Sequence, residues 1–168
     1  MATAIETAIE ARFTINGQAT ESKTQQAEAS KKKEIKYSDK SAGQPKMVII
    51  FNIIKSMMKP YARGTIKERG EKPGIYNLVS EKQIETAGRK FDEIYLASII
   101  VQKGYVGFYY PPAYTIDGSQ TQLKAELLKC LKGKSCFHIK KNDRVIMEQI
   151  KEALEIGYKA YKEKGWVG

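Results

Sequence analysis

The chain of 168 residues is 42% hydrophobic and 29% charged, a balance that fits one globular domain with a single core. Its 29 Lys and Arg outnumber 19 Asp and Glu for a formal charge of +10, and its most apolar run, residues 47–58, is interrupted by Asn52, Lys55 and Ser56. A membrane span needs roughly 18 nearly uninterrupted apolar residues, so none is predicted. Glu6 and Glu10 stand where a secretory signal would carry basic residues, and no apolar segment follows them. The expectation is a soluble, cytoplasmic protein. Its two cysteines, Cys130 and Cys136, lack the paired spacing of a zinc site and are too few to staple a secreted scaffold. They read as reduced thiols.

Residues 1–46 are predicted to be a disordered arm. From Thr14 to Lys46 the sequence is dominated by Ala, Thr, Ser, Gln, Glu and Lys, too little apolar area to fold alone. A short helix through Ile5, Ile9 and Phe13 has the right spacing but would be marginal without a partner. The arm holds eight basic and six acidic side chains, so +2 of the charge lies there and +8 on residues 47–168, the predicted domain. That domain opens with a helix over 47–59, admitted by Pro45 and closed by Pro60. Residues 61–74, rich in Gly and charge, read as a loop. Short strands follow at 75–79 and 83–86, with a bend at Gly88.

The clearest β signal is a hairpin. Residues 91–101 and 105–110 are rich in β-branched and aromatic side chains, and Gly104 between them suits the positive φ of the turn. Pro111 and Pro112 end the second strand, because neither can donate to a ladder. Ser119 with Gln122 forms a capping-box pattern, and Leu123, Leu127 and Leu131 repeat at helical spacing until Gly133, which predicts one continuous helix. A strand at 135–139 follows. Asn142 or Asp143 then caps a long final helix with Ile146, Ile150, Leu154 and Tyr158 along one face, ended by Gly165. The order of elements predicts an α+β fold, with helices packed on an antiparallel sheet.

From Met58 to Val167 the sequence resembles the YdhG-like family, a widespread bacterial domain family of unknown function. The resemblance is carried by Met58-Lys59-Pro60-Tyr61, Ala87-Gly88-Arg89-Lys90, the hairpin over 97–110, residues 131–141, Gly157-Tyr158 and residues 161–166. It implies a compact α+β domain. It also brings in an iron-chaperone label given to some relatives whose fold is similar to that of frataxin. Iron delivery of that kind uses a ridge of carboxylates, hard oxygen donors suited to Fe²⁺. The first helix here contains no acid, and Glu148, Glu152 and Glu155 on the last are interspersed with Lys151 and Lys159, the pattern of a solvated helix face.

Other motifs point in different directions. Gly133-Lys134-Ser135 imitates the end of a phosphate-binding loop, yet Leu128 stands where its first glycine belongs and the order is helix, turn, strand. The strand from Lys103 to Tyr110 is similar to the aromatic strand of an RNA-recognition motif, except that Val106 takes the small-residue position and Gly107 the aromatic one. Cys136 and His138 share one face of their strand and form a candidate soft metal pair, with Cys130 as a third donor across the Gly133 turn. The basic clusters, such as Arg63, Lys67, Arg69 and Lys72, or Lys129, Lys132, Lys134, Lys140 and Lys141, would attract phosphates without reading sequence. No Ser, His and carboxylate constellation is recognisable, so an enzyme is not indicated, and no cofactor is implied. The reading that remains foremost is a small-ligand or protein-binding module. Its candidate pocket uses Tyr109, Tyr110 and Tyr114, with His138 nearby and Lys134 and Lys140 as anion anchors.

Overall fold

A computed structural model describes residues 38–70 and 72–168; the predicted arm and its possible helix lie outside the described residues, apart from residues 38–46. Helix α1 (Pro45–Met58) starts with proline in its first turn, where a missing N–H costs nothing, and runs into a 3₁₀ turn at Lys59–Tyr61. It buries Met47, Ile50, Phe51, Ile54 and Met58 at helical spacing. Just before it, the Gln44 side chain accepts from Gly104 N and donates to Gln102 O. This ties residues preceding 47 to the tip of the predicted hairpin.

Six strands form one antiparallel sheet. They are β1 (Ile66–Arg69), β2 (Ile75–Ser80), β5 (Ile94–Gln102), β6 (Tyr105–Tyr109), β7 (Leu131–Lys132) and β8 (Cys136–Ile139), in the spatial order β1-β2-β5-β6-β8-β7. Two further strands, β3 (Ile84–Thr86) and β4 (Arg89–Phe91), pair only with each other. Three helical turns lie between β6 and β7: α2 (Pro112–Thr115), α3 (Ser119–Gln122) and α4 (Ala125–Leu128). Helix α5 (Arg144–Glu163) closes the fold, its first turn capped by the Asp143 carboxylate accepting from Ile146 N at 3.1 Å.

The fold is therefore α+β, as the order of predicted elements implied. Side chains that alternate along the central strands, among them Tyr76, Leu78, Ile99, Val101, Val106, Phe108, Phe137 and Ile139, enter one core with α1 and α5. The register of β2 against β5 shifts after Leu78, leaving Leu96 as the extra residue of a β-bulge. The bulge allows the adjacent Leu96 and Ala97 both to be buried.

Three expectations are corrected. The segment 61–74 is not all loop, because Ile66–Arg69 pairs with β2; as an edge strand it buries only Ile66, so its charged sequence gave no β signal. The strand expected over 91–101 begins at Ile94, and Phe91 belongs to β4. The helix expected from Ser119 to Gly133 is broken, since Leu123 and Lys124 are extended. Tertiary partners take over there. The Gln149 side chain of α5 accepts from Leu127 N at 2.8 Å, and Leu131 leaves the helical stripe to pair with Phe137.

Tyr110 fills the space between the sheet and α5. It is fully buried, and its hydroxyl donates to Ala153 O. Gly157, one turn along α5, has no room for a side chain: a Cβ there would lie 2.5 Å from the Tyr110 hydroxyl and 2.9 Å from Pro112 Cγ. Gly-to-Ala in an open helix interior ordinarily stabilises by about 1 kcal/mol. Gly157→Ala should instead destabilise by about 1–3 kcal/mol through overpacking, read from urea unfolding midpoints.

Candidate functional site

The six side chains of the predicted pocket divide among four places. Tyr110 is in the core, so its ring and hydroxyl are spent on the helix interface. Tyr109 points the other way, as strand alternation requires, and faces Cys136 across the β6–β8 ladder. His138 is on that same face, stacked on Tyr105 with ring centroids 3.9 Å apart. Gly107 lies between the two tyrosines, and the Tyr109 ring covers it. Lys134 and Lys140 are exposed at the two ends of the segment containing β8. Tyr114 lies elsewhere, on α2.

Tyr109, Cys136 and His138 thus share the sheet face turned from the helices. Burial raises the Cys136 thiol above its ordinary pKa, opposed only in part by its hydrogen bond with Tyr109. Cys130 is raised as well, first by burial and then by Glu126. Neither thiol has the lowered pKa of an activated nucleophile. Among the described residues no three His, Cys, Asp or Glu side chains come together as a metal would require.

A different site is formed where α5 ends. Gly165, at φ +72°, takes the left-handed position that stops the helix. Its N–H bonds to Lys162 O, and the N–H of Trp166 reaches back to Tyr161 O at 2.8 Å. This pair of bonds is a Schellman motif, and its usual apolar contact is supplied by Trp166 packed edge-on against Tyr161, with centroids 5.1 Å apart. Tyr161 is in turn tied to the sheet. Its hydroxyl lies 3.1 Å from Thr115 Oγ1 and donates to Tyr95 O at 3.2 Å. Burial holds this phenol well above the ordinary tyrosine range, in its neutral, donating form. Beyond Trp166 the chain is clasped to β1 and β2: Ser80 Oγ donates to Trp166 O, and Thr65 N to Gly168 O, both at 2.8 Å.

These contacts make Trp166 part of the lining of an open cleft of about 450 Å³, within the roughly 300–1,000 Å³ of small-ligand sites. Its walls are Ile84 and Phe91 of the β3–β4 hairpin, Ile94 and Tyr95 of β5, and Pro111 and Tyr114 beside α2. Thr86 and Thr115 contribute hydroxyls, and Glu93 a carboxylate that Arg69 engages together with Glu81. The cleft is unusually apolar for an open surface. Five large hydrophobic side chains stand exposed among the described residues, and three of them line it: Phe91 at 42%, Tyr95 at 39% and Tyr114 at 56%. The hairpin wall turns on Ala87 and Gly88 with φ of 50° and 72°, the positive pair of a type I′ turn.

The fold and the cleft define a small α+β domain with an open apolar cleft beside its sheet. Comparison of the chain with family models, curated proteins and solved structures gave no match. Of the residues anticipated for a pocket, Tyr114 alone belongs to this cleft. The others that build it come from four separated stretches of chain, and the one local hint was Phe91, an aromatic set between Lys90 and Asp92. Among the described residues no helix is long and apolar enough to cross a membrane.

The Schellman motif makes the lining of the cleft testable. Trp166 is the single tryptophan, 8% exposed, and so a spectroscopic reporter of its own packing. A Cβ at Gly165 would meet nothing within 4 Å, so Gly165→Ala imposes only left-handed backbone strain. It should lower stability by about 1–2 kcal/mol and shift the Trp166 emission to the red, both read in one denaturant titration.

Proposed function

We propose that this domain is a binding module that receives an apolar side chain or ring in the cleft over Trp166 and does not transform it. The observation that carries this reading is the convergence of Phe91, Tyr95 and Tyr114, exposed on three different elements, around one cavity. Leaving such rings in water forfeits roughly 25 cal/mol for each Å² that a partner would cover. Tyrosines also offer hydroxyls at the edge of the apolar area, which suits an occupant with polar ends. The lining supplies one carboxylate, Glu93, and that group is held by Arg69, which leaves it poorly placed for acid–base work. The reading agrees with the resemblance to the YdhG-like family, which implies a compact domain and little chemistry.

The test is a titration with anilinonaphthalene sulfonate, an apolar fluorophore excited through Trp166. The full chain should bind the dye saturably with energy transfer from the indole, and the double variant Phe91→Glu, Tyr114→Glu should lose that signal while keeping its unfolding midpoint within about 0.5 kcal/mol, as exposed positions allow. Dye binding that ignores both substitutions, or no saturable binding by the parent protein, would remove the cleft as the binding site.

A further inference from the structure

We infer that the occupant of the cleft is an extended, acidic peptide segment of a partner protein, added as a third strand to the free edge of β4. This rests on the reading of the cleft as a binding site and goes further by naming the occupant.

Thr86 and Arg89 flank a two-residue turn, so they form a hydrogen-bonded pair, and Ile84 and Phe91 form the next one along. Lys90 falls between them as a non-hydrogen-bonded position, and its N–H and C=O therefore point outward from the two-stranded ribbon. Among the described residues no third strand covers that edge, because β3 and β4 pair only with each other, and all three residues of β4 are exposed. An unpaired edge of this kind is a template for strand addition.

Cross-strand partners share a face, so Ile84, Phe91, Thr86 and Arg89 lie on one side of the ribbon, and three of these four line the cleft. An added strand would alternate in the same way. Every second side chain would enter the apolar cleft beside Phe91, and the next one on that face would come opposite Arg89.

Glu93 and Glu81 at the cleft mouth are paired with Arg69, and Asp92 accepts from Gln83. Glu85 stands opposite Lys90 on the ribbon face turned from the cleft. Arg89 on the cleft face makes no ion pair among the described residues, and Lys164 lies over the Trp166 ring at 5.2 Å. Arg89 and Lys90 discourage pairing with a second copy of this same basic strand and favour an acidic one.

The experiment uses the full chain and three short fluorescein-labelled peptides: one repeating Phe-Thr-Glu-Thr, which sets Phe and Glu in turn on one face so that Phe meets Phe91 and Glu meets Arg89, the same with Lys for Glu, and the first N-methylated at alternate amides. The acidic peptide should bind with a change in Trp166 emission, and the lysine and N-methylated peptides should bind at least about tenfold more weakly. Arg89→Glu should reverse the preference between the two charged peptides. Equal binding of the lysine peptide, or of the N-methylated one, would overturn the inference. If no peptide binds while anilinonaphthalene sulfonate still fills the cleft, the inference falls and the binding reading stands; if neither binds, both fall.

Discussion

Tyr161 and Trp166 hold the cleft end of the molecule together. The helix-ending bonds at Gly165 turn the chain so that Trp166 packs against Tyr161, and the Tyr161 hydroxyl reaches both Thr115 and the backbone of Tyr95. One phenol therefore fixes the end of α5 to the sheet and to α2. A buried hydroxyl without partners would cost about 1–3 kcal/mol, so this arrangement is favoured only while both partners stay in place. The cleft is what remains between those three elements and the β3–β4 hairpin.

The two faces of the sheet have opposite roles. The face under α1 and α5 is filled by Tyr76, Phe108, Tyr110 and Phe137 among others, an interior that tolerates no added atom at Gly157. The opposite face carries Tyr105, Tyr109, Cys136 and His138: Tyr105 stacks on His138, and Tyr109 faces Cys136 across the ladder. The cleft belongs to neither face. It sits at the end of β5, where the bulge at Leu96 changes the strand's course and the chain leaves β6 through Pro111.

Much of this fold was legible in the sequence, for reasons that also explain what was not. The period of Ile146, Ile150 and Leu154 behind the Asp143 cap announced α5, and the aromatic and β-branched runs on either side of Gly104 announced the central hairpin. Strand β1 was silent because only Ile66 among its residues is buried. The leucines from Leu123 to Leu131 satisfy a helical repeat, but the Gln149 cap and the pairing of Leu131 with Phe137 outweigh it, and both come from distant sequence. Of the candidate site, Tyr114 alone could be anticipated. Period-2 alternation separates Tyr109 from Tyr110 at once, whereas the joining of Phe91, Tyr95, Tyr114 and Trp166 depends on tertiary contacts that no local spacing records.

The proposed binding is over Trp166 rather than on the open sheet face. The single indole Nε1–H resonance, followed together with the backbone amides as N-acetylphenylalaninamide is added, tests it most directly. A saturable shift of that resonance and of amides in residues 84–95 and 113–115, with Cys136–Ile139 unmoved, is the predicted result. Shifts centred on Tyr105 and His138 with a stationary indole would contradict it.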